Sequence, residues 1–219
     1  MRTRRIFQLA APFGAALAAQ LAHPRGWFGR VVMTRFLNRG NRALIEATLE
    51  GIPLSGAVRL LDVGFGGGRL LTLAAGRGVL DLTGVDPSEA AVAWLRPRTG
   101  RLAPARVRLE RGPVEALPLP DAVFDVVAST NTVYFWPDLA HAFGELHRVT
   151  APGGLLTLGF SSADKLRRFG QITRHGFQLH ATEDISRAAA AAGFGGVECR
   201  ELRGGATEGD VVLRGRRRA

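Results

Sequence analysis

The chain has 219 residues, enough for one globular domain and few for two. Its 29 Lys and Arg against 19 Asp and Glu give a charge of +10, but the arginines are scattered except at the ends "MRTRR" and "RGRRRA", so nucleic acid is disfavoured as a partner. The lone Cys199 excludes an internal disulfide and a thiolate metal cage and fits a reducing, cytoplasmic compartment, and no apolar run approaches the ~20 residues of a membrane-crossing helix.

The first segment, "TRRIFQLAAPFGAALAAQLA", is similar to an export signal, down to the pair Arg4–Arg5 followed by Phe7. Against that, Ile6, Leu9, Phe13, Leu17 and Leu21 recur at helical spacing, so an amphipathic helix is the reading taken. "GWFGRVVMTRFLNRG" predicts a second helix capped at Gly40, and "NRALIEATLE" a third beginning at Asn41. Residues 1–55 are therefore expected to form a helical cap, and residues 56–219 the main domain.

Beyond residue 56 the pattern alternates. Strands are predicted at 58–64, 81–86, 105–111, 124–129 and 153–161, from "VRLLDVG", "DLTGVD", "ARVRLER", "FDVVAS" and "GGLLTLGFS". Between them lie the helices "RLLTLAAGRG", "PSEAAVAWLRP" with Pro87 in its first turn, and "DLAHAFGELHRVT". The last of these turns Leu139, Ala142, Phe143, Leu146 and Val149 inward and leaves Glu145 and Arg148 on a solvated face. "TEDISRAAAAAGF" carries a start similar to a capping box at Thr182, and "GVECREL" with "GDVVLRG" reads as a hairpin. The class is α/β: an open, mostly parallel seven-stranded sheet with an N-terminal helical extension.

The stretch "LLDVGFGGGRLL" writes a strand, a tight turn and a helix start. A dinucleotide turn would place glycine where Arg69 stands, and a P-loop would need a lysine followed by Ser or Thr. What remains is Asp62 with Gly64, Gly66 and Gly68 at alternate positions. That pattern resembles motif I of the class I S-adenosylmethionine-dependent methyltransferases. The order of parts over roughly residues 57–160 resembles the family throughout: Asp86 closing the second strand, then "GPVEALPLPDAVFDVVAS", then "LAHAFGELHRVTAPGGLLTL".

The resemblance implies a Rossmann-like methyltransferase fold and S-adenosylmethionine as cofactor. It implies contacts to that cofactor from Asp62, Gly64, Phe65, Gly66, Gly68, Asp86, Pro87, Val114, Glu115 and Ser129, with Asp86 on the ribose hydroxyls. Pro113 departs from the family, which commonly has an aspartate there for the adenine amine. Either Glu115 replaces it, or apolar packing from Pro87, Val114 and Leu117 holds adenine; the second is preferred.

The acceptor is expected beyond the fourth strand, beside Tyr134, Phe135 and Trp136, with Asn131 and Thr132 at the same mouth. Candidate catalytic groups are Tyr134, Asn131 and His175; His180 lies in the same connection as His175, while His147 is expected to face solvent or cap a carbonyl. No metal site is expected. The implied activity is methyl transfer to a small apolar or amphipathic acceptor by in-line displacement. The alternatives are a phospholipid amine methyltransferase in peripheral membrane contact, or a binding module of the same fold without turnover.

Overall fold

The computed structural model describes residues 42–168 and 178–218. The two helices expected before Gly40, the cap at Asn41 and His175 lie outside the described residues. In chain order the elements are α1 (Arg42–Thr48), β1 (Arg59–Val63), α2 (Arg69–Gly76), β2 (Asp81–Asp86), α3 (Glu89–Leu95), β3 (Arg106–Arg111) and β4 (Phe124–Thr130). Then come α4 (Leu139–Val149), β5 (Thr150–Ser161), α5 (Ala163–Arg167), α6 (Thr182–Ala191), β6 (Phe194–Glu201) and β7 (Asp210–Arg217).

The seven strands form one sheet in the order β3-β2-β1-β4-β5-β7-β6. The first five are parallel, and β7 runs antiparallel between β5 and β6. The central strands are near-continuous apolar runs because both faces are covered. On one face Phe143, Leu146 and Ile185 of α4 and α6 pack on Leu61, Val127 and Leu156. On the other, Leu70, Leu71 and Val92 of α2 and α3 cover Leu60, Leu82 and Val126, joined by Ile45 of α1. α1 sits close to β5: Thr157 Oγ1 donates to Thr48 O at 2.8 Å, and a side chain at Gly159 would collide with Thr48. No helix among the described residues is long and apolar enough to cross a membrane.

Helix ends depart from the sequence reading in two places. Ser88, not the stretch from Pro87, caps α3 by accepting from Ala91 N at 3.3 Å, which puts Pro87 one residue before the cap. Pro87 lacks an N–H, and its fixed backbone leads into the cap instead of the first turn. Thr182 is the first residue of α6 and caps nothing; Ala181 holds the cap position. Glu183 and Asp184 place negative charge in that first turn, which favours the helix dipole without a side-chain cap.

The outer face of α4 is a third departure. Glu145 Oε2 accepts the Leu117 N–H at 2.8 Å, and Arg148 donates to both Glu145 oxygens at 2.6 and 2.8 Å. Arg148 also reaches Asp121 Oδ1 at 2.6 Å and the carbonyls of Leu119 and Leu117 at 2.8 and 3.0 Å. Instead of a solvated face, the pair forms a clasp that holds residues 117–121 against α4. Helical periodicity says only which residues point away from the sheet; here a loop arrives to meet them.

Removing the guanidinium strands two loop carbonyls and takes the cation from two carboxylates, Glu145 and Asp121. Arg148→Met should therefore lower the unfolding free energy by about 2–4 kcal/mol in urea titration. Arg42→Ala, which breaks only the exposed i,i+4 pair with Glu46, should change it by no more than about 0.5 kcal/mol. Equal effects would refute the clasp.

Candidate active site

The carboxyl ends of β1, β2 and β4 meet at the glycine turn, the place where open sheets of this kind bind ligands. Gly64 takes φ +75° and donates to Val85 O at 2.6 Å, and a Cβ there would collide with the Thr132 methyl. A Cβ at Gly68, φ +71°, would lie 2.6 Å from Leu95. Packing and backbone conformation thus both demand glycine at these two positions. Gly66 differs. Its φ of +48° also favours glycine, but an added Cβ would meet nothing within 4 Å among the described residues. Its backbone borders open space.

Asp86 organises the turn. One carboxylate oxygen accepts the Gly66 N–H and the other the Ser88 N–H, each at 2.8 Å. Burial raises its carboxyl above the ordinary range, and the two N–H groups pull it back down. Gly112 N donates to Asp86 O at 3.3 Å, which draws the loop carrying Pro113, Val114 and Glu115 alongside. In that loop Val114 is buried and Glu115 Oε1 is buried with no hydrogen-bond partner among the described residues. Pro87 is exposed.

Asp62 is 2% exposed near the end of β1, and its Oδ2 has no partner among the described residues. Burial, and secondarily the charge of Asp86, push its carboxyl up to about 8. At neutral pH it therefore carries a proton.

Two of the residues expected at the cofactor turn inward. The Phe65 ring is buried against Gly84, where a Cβ would lie 2.7 Å from it, so only its backbone belongs to the turn. The Ser129 hydroxyl donates to Val63 O at 2.6 Å and meets Thr132 Oγ1, bracing β4 against β1.

At the mouth beyond β4, Asn131 takes φ +58° and donates its N–H to Gly159 O at 2.8 Å. Asparagine tolerates that left-handed conformation better than most residues, although it is still strained there. The Tyr134 hydroxyl donates to Asn131 Oδ1 at 2.9 Å and accepts the Ser161 N–H. Tyr134 and Trp136 are buried in the core, Trp136 edge-on to Phe143 at 5.7 Å, while Phe135 is 37% exposed. Of the three aromatics, only Phe135 is exposed.

His141 is exposed and paired with Asp138 at 2.8 Å, which raises its pKa. His147 caps no carbonyl among the described residues: half-buried, it packs edge-on to Phe194 at 5.2 Å, and burial lowers its pKa. His180 Nε2 is buried without a partner among the described residues, and its segment joins the mouth through Gln178 N to Tyr134 O at 2.7 Å. The sequence reading missed Ser161, whose contribution is a backbone N–H and leaves no trace in residue type.

A family profile described as a methyltransferase domain matches residues 61–158. Uncharacterized methyltransferase YdaC of Bacillus subtilis is 30% identical over 152 residues, covering 66% of this chain and 82% of that protein. 27-O-demethylrifamycin SV methyltransferase of Amycolatopsis mediterranei is 36% identical over 56% of this chain. The match spans 46% of that relative, and this chain covers about half the length of several other curated relatives. Among solved structures, an S-adenosylmethionine-dependent methyltransferase from Mesorhizobium loti superposes with TM-score 0.67 at 19% identity, over 81% of this chain and 98% of the other. An O-methyltransferase family protein from Burkholderia thailandensis gives TM-score 0.72 at 16% identity, over 87% and 60%. These two show the shared fold.

The buried acid at β1 has a consequence for stability. Its folded value, about 8, stands above the ordinary 3.8, so the folded state favours the proton. The contribution is complete below about pH 4 and is lost as pH rises through about 8. Asp62→Asn removes this dependence. Urea midpoints of the native protein should fall more steeply from about pH 5 to about pH 9 than those of the variant; parallel profiles would contradict the raised value.

Proposed function

We propose that this chain, which belongs to the class I S-adenosylmethionine-dependent methyltransferases, methylates a small amphipathic acceptor seated between Gly66 and the mouth formed by Asn131 and Phe135. S-adenosylmethionine supplies a methyl group on a sulfonium, so the leaving group is neutral and already activated. What the protein must add is placement of the two partners in line, and exclusion of water from between them.

The observation that carries this reading is the pairing of an orphaned buried oxygen, Asp62 Oδ2, with the bare backbone of Gly66. A carboxyl so buried is costly unless something pairs with it. The ammonium of the cofactor's methionine part is the partner its charge fits. Each Asp86 oxygen accepts one backbone N–H and keeps a lone pair for a ribose hydroxyl. Val114 offers an apolar side for adenine. Because Pro113 has no side-chain acceptor, we assign the adenine amine to Glu115, whose unpartnered Oε1 favours it over apolar packing alone. At the mouth, one exposed ring and one amide suit an acceptor with an apolar body and a polar end.

Pairing with an ammonium requires Asp62 as carboxylate, yet the free protein holds it protonated below about pH 8. Binding of S-adenosylhomocysteine near neutral pH should therefore release a proton. Affinity should climb with pH up to about 8, by at most about tenfold per unit. Calorimetry in two buffers of different ionisation enthalpy reads the proton directly. NAD should not bind, since Arg69 occupies the third glycine position of a dinucleotide turn. NAD binding without S-adenosylhomocysteine binding would overturn the reading.

A further inference from the structure

Tyr134 is 5% exposed, yet its hydroxyl serves two polar partners at the mouth. One is the Ser161 N–H, which can only donate, so the phenol oxygen accepts there. Its single proton then goes to the other partner, Asn131 Oδ1 at 2.9 Å. A buried hydroxyl left without an acceptor is costly, so this direction is enforced. Ser161 itself is anchored. Its Oγ donates to Asp210 Oδ1 at 2.6 Å, and Asp210, 4% exposed, pairs with Lys165 at 2.7 Å.

An asparagine whose oxygen is spent on a phenol turns its NH2 group the other way. Asn131 is half-buried, and its Nδ2 makes no hydrogen bond among the described residues. The residue cannot easily swing aside, because its backbone is held at φ +58° by the bond to Gly159 O. Its neighbour Thr132 packs on Gly64, which brings this segment of the chain up to the glycine turn.

We propose that Asn131 determines acceptor specificity as a hydrogen-bond donor whose orientation is locked by Tyr134, and that the acceptor presents an oxygen lone pair to it, as a carboxylate, phenolate or enolate does. This rests on the proposed methyltransferase site. An ammonium in the same place would set donor against donor, with no lone pair to receive the amide. The acceptor class is therefore anionic or neutral oxygen, not a protonated amine. Tyr134 acts as a positioning residue.

The experiment uses the full chain saturated with S-adenosylhomocysteine. Benzoate, 2-naphthoate and decanoate are each titrated against the amine of the same skeleton. For the native protein, at least one carboxylate should bind about tenfold tighter than its amine. Asn131→Asp keeps an acceptor for Tyr134, tolerates the same backbone and replaces the outward donor by an acceptor, so the preference should reverse. Tyr134→Phe frees the amide to turn over, so the preference should shrink towards parity. A merely structural role for Tyr134 would lower the thermal midpoint and leave that ratio alone. If Tyr134→Phe does not unfold cooperatively, Asn131→Asp decides. Failure of S-adenosylhomocysteine to bind brings down the underlying site reading. Binding of S-adenosylhomocysteine with no preference for the carboxylates, or with a preference unchanged in Asn131→Asp, overturns this inference alone.

Discussion

Both oxygens of the Asp86 carboxylate are engaged by backbone N–H groups, one from the glycine turn and one from the start of α3. This pair of hydrogen bonds across two connections is what gives the carboxyl edge of the sheet a shape. It holds Gly66 with its backbone towards open space, and its own carbonyl draws in the loop that carries Val114 and Glu115. Because Asp86 is satisfied by the backbone, it keeps its place although buried. Asp62 beside it has no such help. The contrast is between an acid with two donors, which builds the turn, and an acid with an oxygen that has no partner among the described residues.

Such an arrangement costs the folded protein something. A buried carboxyl without a partner, and a non-glycine residue with φ +58° at the end of β4, are both features that a sequence selected for stability alone would avoid. They lie at the same edge of the sheet. The surrounding structure compensates through strands buried on both faces and through the Arg148 clasp, which fastens residues 117–121 to the helix that follows the mouth.

The strands along the chain and the helix faces were legible because buried parallel strands and amphipathic helices write themselves in residue type. The alternate spacing of Asp62, Gly64, Gly66 and Gly68 was legible too, since two of those glycines answer steric demands that no other residue meets. Less could be read where a side chain's role depends on what comes back to it from far along the chain. Glu145 and Arg148 read as solvent-facing because their loop partners are about thirty positions away. Ser129 and Phe65 show that position in a motif does not say which way a side chain turns: both turn inward. Tyr134 read as a group at the mouth, and its hydroxyl is indeed there, but the ring is core.

The reversed direction of β7 has a consequence for the rim of the sheet. In a parallel sheet every strand begins at the end opposite to where ligands sit. An antiparallel strand begins where its neighbours finish, so Asp210 opens β7 level with Ser161, the last residue of β5. Had β7 run parallel, that acid would stand at the far edge, a strand length of roughly 25 Å away. The inversion thus carries a charged anchor from near the end of the chain to the working edge. There it steadies the Ser161 amide that Tyr134 depends on. Topology, as much as any single residue, decides how stiff the mouth beyond β4 is.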